Sequence, residues 1–147
     1  MSAYRTVVVG TDGSETSFGA VDRAAALAAD SGATLVIACA YLPDKVDTSA
    51  QDQLGEDAYQ VVGSAPADDT VRRARDRAAA AGATDVQTVS VQGRPAASLV
   101  KVVSDQGADL LVVGNVGLNT LAGRILGSVP LDVARHAGTD VLIVHTT

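Results

Sequence analysis

Two glycine-rich stretches hold the residues whose types and spacing could do chemistry. In "GNVGLNTLAGRILGSVP", residues 114–130, two residues separate Gly114 from Gly117, and nine more precede Gly127 and Ser128. Backbone N–H groups at such glycines can face an anion with no Cβ in the way. A helix opening at Ser128 adds first-turn N–H groups that are unsatisfied and partly positive. That is chemistry for a phosphorylated ligand. Ser128 either caps the helix or donates its hydroxyl to a phosphate oxygen. The helix dipole supplies only about 0.3–1 kcal/mol, so charge-assisted hydrogen bonds at roughly 1.5–3 kcal/mol each must provide most of the grip. The second stretch is "GTDGS", Gly10 to Ser14, directly after "TVVV". Asp12 is the sole carboxylate near the two loops. An acid repels phosphate, so Asp12 accepts from ribose hydroxyls, holds a metal, or only shapes the turn into the next helix.

Other phosphate and nucleophile patterns are missing. No G-x-x-x-x-G-K-[ST] supplies a P-loop lysine. No G-x-G-x-x-G follows the first apolar run, which argues against a dinucleotide fold. The centre of "GTDGS" is Asp12, so it is not the G-x-S-x-G nucleophile elbow. No nucleophile–base pair is visible, and the glycine loops explain binding without catalysis.

The elements that must position these loops follow from a cadence. "SGATLVIACA", "AGATDVQTVSV", "QGADLLVVG" and "AGTDVLIVH" each place a glycine (Gly32, Gly82, Gly107, Gly138) between a helix-like stretch and a β-rich run. Such a glycine ends a helix in the left-handed conformation. With "YRTVVVG" this makes five strands, near 5–10, 34–41, 85–91, 109–113 and 141–145, separated by four helices near 15–30, 67–81, 95–106 and 129–137. Alternation of this kind predicts an α/β fold, a parallel sheet with helices on both faces. Strands 1, 4 and 5 are continuously apolar, as strands buried on both faces are; strand 3, "DVQTVSV", alternates as an edge strand does. Phe18, Val21, Ala25 and Ala28 form one stripe of the first helix, and Pro66, Pro95 and Pro130 sit at the starts of the other three. Ligands of open parallel sheets bind beyond the carboxyl ends of the strands, where the strand order reverses. The two glycine loops meet there only if strands 1 and 4 are neighbours, which the order 3-2-1-4-5 achieves. Residues 42–65 break the cadence and are acidic, either a flexible lid or a segment with a short helix near 51–60.

Composition bounds the function. A chain of 147 residues suits a single domain, 1–147. Net charge of −6 and a pI near 4.6 argue against a nucleic-acid backbone or an anionic membrane as partner. Cys39, the single cysteine, excludes an intrachain disulfide and a cysteine-cluster metal site and reads as a small core residue. No apolar run reaches the roughly 18 residues of a membrane span, and the N-terminus lacks a signal-peptide pattern, so a cytoplasmic location is expected. Arg72, Arg73, Arg75 and Arg77 form a solvated helix face. His136 complements a helix C-terminus, and His145 stands beside no other metal ligand.

"VVVGTDGSETS" followed by "GNVGLNTLAGRILGSV" resembles the ATP-binding subgroup of the universal stress protein family, over essentially the whole chain. The second stretch fits G-x2-G-x9-G-[ST] through Gly114, Gly117, Gly127 and Ser128. The resemblance implies an adenine-nucleotide-binding, usually dimeric cytoplasmic protein. It places adenine near Gly10, Asp12 and Ala40. Val113, Gly114 and Gly117 would line the phosphate loop, with Gly127, Ser128 and Val129 gripping the phosphates. Asn115 and Val116 depart from the family, which often carries a small hydroxyl residue and then Arg or His there. The loop keeps Arg124 as its only cation, and this makes AMP or cyclic AMP alternatives to ATP.

The expected function is therefore a nucleotide-binding stress-response or regulatory protein. One alternative is a slow ATP hydrolase or self-phosphorylating protein, with Asp12 holding Mg²⁺ and Ser128 accepting phosphate. Another is a dimeric interaction module whose glycine loop is structural. Strand 5, "DVLIVHTT", falls at a sheet edge without proline or lysine, and predicts a homodimer through residues 140–146.

Overall fold

Alternation along each strand sorts the core of this computed structural model, which describes residues 3–43, 61–115 and 128–146. Five strands lie among these residues: β1 (Thr6–Gly10), β2 (Thr34–Tyr41), β3 (Val86–Gln92), β4 (Leu110–Gly114) and β5 (Asp140–Val144). They form one parallel sheet in the order β3-β2-β1-β4-β5. Four helices connect them: α1 (Glu15–Ser31), α2 (Ser64–Ala80), α3 (Pro95–Gln106) and α4 (Ser128–His136).

Val7, Val9, Leu35, Ile37, Leu110 and Val112 point to one face, where Phe18, Val21, Ala25 and Ala28 of α1 and Val71, Ala74 and Ala78 of α2 cover them. Val8, Val36, Leu111 and Val113 point to the other, against Leu99, Val102 and Val103 of α3 and Val133 of α4. Period-2 strands and period-3.6 helices thus meet in two layers of core. The alanine-rich helices let the backbone layers approach closely. Asp109 fastens the lower ends of β1 and β4, its carboxylate accepting from the N–H groups of Arg5 and Thr6 at 3.0–3.2 Å. Burial pushes the Asp109 carboxyl up, but the Thr6 and Arg5 N–H groups outweigh it and hold it below the ordinary value.

The helix ends correct the sequence reading in detail. Gly32 and Gly107 are left-handed C-caps, at φ 66° and 62°. α2 instead ends at Ala81, φ −86°, and Gly82 follows it. α2 also starts at Ser64, earlier than expected, because Leu42 and Val62 form a bridge that turns the chain straight into the helix. The suggested lid or short helix near 51–60 lies outside the described residues. β5 is not buried on both faces like β1 and β4: Val141, Leu142 and Ile143 are half-buried, and Val144 alone is fully buried. A last strand has one strand neighbour.

Three of the four arginines reach other elements, Arg75 donating to the Thr88 hydroxyl of β3 at 3.3 Å. The guanidinium groups of Arg73 and Arg77 lie 5.4 and 5.2 Å from the Phe18 ring centre. Arg77 also pairs with Asp22 and Glu15 of α1, stapling the two helices. Among the described residues, no helix is long and apolar enough to cross a membrane.

Candidate functional site

β1 ends while its neighbour β2 continues, and this difference opens a cleft. The ladder carries Thr11 N–H to Ala38 O at 3.0 Å and Gly93 N–H to Tyr41 O at 2.8 Å on the opposite side. Residues along a parallel strand direct their N–H and C=O alternately to the two neighbours. The backbone groups of Ala40 therefore point to the side of β1, beyond the point where β1 pairs. The Ala40 N–H and C=O face that side, and the C=O also takes a long contact from the Cys39 thiol at 3.6 Å.

The cleft has about 540 Å³ of empty volume, part of it open to solvent. Gly10, Asp12, Ala40, Val113, Gly114 and Val129 line it, six of the nine residues that the sequence singled out. Gly117 and Gly127 lie outside the described residues, as does Arg124. Ser128 opens α4, which brings the helix N-terminus to the cleft through Val129 and Pro130.

Asp12 occupies the β1–α1 turn and is only 8% exposed. Its Oδ1 accepts from Ser14 N–H at 2.8 Å, so it does shape the turn. Its second oxygen has no partner among the described residues. A chain of hydroxyls makes this turn rigid. Gly13 N–H donates to Thr11 Oγ1 at 3.2 Å, Thr11 and Ser17 hydroxyls lie 2.7 Å apart, and Ser17 Oγ–H donates to Ser14 O at 2.9 Å. Ser14 caps α1 through its Oγ, which accepts from Ser17 N–H. A buried carboxylate oxygen without a donor is costly to leave unmade. The fixed turn holds Asp12 in the lining of the cleft.

Gly10 does not have the positive φ found at Gly13 or Gly32. Its lack of a side chain serves a close approach instead: a Cβ there would meet Leu99 Cδ1 at 2.7 Å. Leu99 and Pro95 of α3 form the apolar wall beside it. The sequence reading missed both, along with Ser17 and Ala38. Pro95 and Leu99 share a helix face four residues apart, but nothing local in the sequence tells that this face borders a cleft. Ser17 carries a legible signal, three residues after the capping Ser14.

The cleft has two chemical poles. Acceptors, the Asp12 carboxylate and the Ala40 carbonyl, gather at the ends of β1 and β2. Beyond β4 the first turn of α4 borders it through Val129, which has an N–H donor, and Pro130, which has none. Asp12 is the single charged residue among the described lining. It is the one carboxylate of that described lining, and no group of three or more metal-binding His, Cys, Asp or Glu side chains occurs among the described residues. The Cys39 thiol, inside the core near Asp12, is pushed up to about 12 by burial and then by the charges of Asp12 and Asp68, so it stays protonated.

Comparison with known proteins matches this architecture. The sequence model of the universal stress protein family covers residues 3–145. A universal stress protein of Mycobacterium tuberculosis strain H37Rv is 54% identical over 147 residues, the whole of both chains. A crystal structure of a universal stress protein in complex with cAMP is 52% identical, with a TM-score of 0.77 over 99% of this chain and 100% of that one. The universal stress protein of Archaeoglobus fulgidus, solved in complex with dAMP, shares the fold at 22% identity, with a TM-score of 0.68 over 96% of this chain and 98% of that one.

Proposed function

The chain belongs to the universal stress protein family, and from that premise we propose that it is a cytoplasmic stress-response protein that binds an adenine nucleotide in the cleft between β1 and β4. Asp12 carries this reading. Its carboxylate is buried, held in place by Ser14, and has one oxygen left for a donor that the described protein does not supply. A ribose hydroxyl is such a donor. The Ala40 N–H and C=O present an adjacent donor and acceptor, the combination that an adenine edge accepts and offers. The phosphate then lies toward Gly114 and the first turn of α4, where backbone N–H groups favour an anion.

Cyclic AMP is the ligand favoured over ATP. The described lining supplies no cationic side chain, so one negative charge is met more fully by backbone donors than three or four. The relative solved with cAMP, alike over its whole length, supports the same choice. Were ATP the ligand, Mg²⁺ would have Asp12 as its protein ligand and take its other oxygens from phosphates and water.

The protein acts as a homodimer joined through β5. Asn115 N–H donates to Val144 O at 2.7 Å, so Val144 faces β4 and the alternating Val141 and Ile143 direct their backbone groups outward. This unpaired apolar edge fits a second copy of itself around a two-fold axis.

Calorimetric titration with cAMP, AMP and ATP tests the nucleotide reading, using the wild type and Asp12→Asn. The asparagine keeps the oxygen that accepts from Ser14 and replaces the carboxylate with a neutral amide. A hydrogen bond to a charged group contributes roughly 1.5–3 kcal/mol, so affinity should fall about 10- to 150-fold with the thermal transition nearly unchanged. Wild-type protein that binds none of the three nucleotides refutes the proposal.

A further inference from the structure

Where β4 ends beside the cleft, one buried side chain ties it to the chain after β5. Asn115 N–H donates to Val144 O at 2.7 Å. Asn115 Oδ1 accepts from Thr146 N–H at 2.9 Å and from the Thr146 hydroxyl at 3.1 Å, and Asn115 Nδ2 lies 3.2 Å from His145 Nδ1. A backbone N–H can only donate, so the amide oxygen must face Thr146. The amide nitrogen must then donate to His145. His145 Nδ1 is therefore a lone pair, and its ring proton sits on Nε2. These contacts extend the β4–β5 ladder one residue past the Gly114–Val144 pair, and Gly114 lines the cleft.

We propose that Asn115 is a positioning residue for the ligand site, that its hold on Gly114 requires a neutral His145, and that adenine-nucleotide affinity therefore falls when His145 takes up a proton. The inference rests on the nucleotide reading above. A protonated imidazole carries N–H on both nitrogens, which sets Nδ1–H against the Asn115 amide N–H at 3.2 Å. Turning the amide over satisfies His145 but sets the NH₂ group against Thr146 N–H. Either way two donors face each other, and the clamp loosens. α1 meets the tail at Gly19, beside Thr146, β4 contributes the uncharged Asn115, and among the described residues His145 makes no ion pair.

Cyclic AMP is the probe, because its phosphodiester lacks the second phosphate ionisation near about pH 6. Histidines take up a proton between pH 7.5 and 5.5. Over that interval the wild-type affinity should drop about three- to tenfold, the scale of one net hydrogen bond. His145→Gln, a change at an exposed position, should bind like the wild type at pH 7.5 and give a flat profile. Asn115→Ala should bind about tenfold more weakly, also without a step, while His136→Gln should keep it. A flat wild-type profile, or a step that persists in His145→Gln, overturns the proposal even if Asn115→Ala fails to fold. A step that persists in folded Asn115→Ala overturns it too. Binding with a flat profile leaves the nucleotide reading standing, whereas no binding of cAMP at pH 7.5 overturns both.

Discussion

Adding one methyl group at Gly10 should reveal how closely the cleft and the core share a wall. In Gly10→Ala the new Cβ would lie 2.7 Å from Leu99 Cδ1 and 3.0 Å from Cδ2, against 3.4–4 Å for ordinary contact. Leu99 must move its end by at least 0.7 Å, the difference between 3.4 and 2.7 Å. Gly10 lacks a positive φ, so backbone strain adds nothing and the cost is steric. On its inner side Leu99 is packed against Val36, Val103 and Leu111, and interiors at crystal-like density do not yield. Its other side borders the cleft, so it should swing outward and occupy ligand space. Overpacking of this kind costs about 1–3 kcal/mol. In a chain of this length each kcal/mol lowers Tm by roughly 2–5 °C. Urea unfolding and cAMP titration should both report the change, with affinity falling more than stability. Leu99→Val in the same chain removes the offending methyl and should restore much of both, a coupling of roughly 1–3 kcal/mol in a double-mutant cycle. Unaltered urea midpoint and affinity in Gly10→Ala, or no recovery with Leu99→Val, would refute the steric argument.

Ile143→Lys places a charge on a half-buried position of β5 next to its open edge and should convert the proposed dimer to folded monomers by light scattering; a variant that stays dimeric and folded moves the interface elsewhere. Val144 is unsuited to this probe, because it is buried against the α1 side of the core and a lysine there would destabilise the fold itself. Cys39 should resist a thiol reagent at pH 8 in the native protein, since burial keeps it protonated at a value near 12. It should react at an ordinary rate in 8 M urea, and rapid native labelling would show that the end of β2 opens.

The order of elements and the parallel sheet were legible in the sequence for a local reason. Side-chain period and helix-ending glycines such as Gly32 and Gly107 act within a few residues of themselves, and the strand order follows once "GTDGS" and Gly114 must share one site. Asp12 was legible as a residue beside the cleft because it follows directly on the end of the first strand. What only the tertiary structure decided depends on contacts between distant segments. Gly10 owes its missing side chain to Leu99 on α3, which no spacing announces. Asn115 looked like a departure from the family's loop, yet its amide spans 31 residues of chain to reach Thr146. Arg73 and Arg77 looked like solvent-facing charges until α1 placed Phe18 beneath them. β5 is as apolar as β4 and its edge position followed from the strand order, but only the sheet shows that Val141, Leu142 and Ile143 are half-buried there. Periodicity records which way a side chain points; what it meets there is decided when separate elements pack.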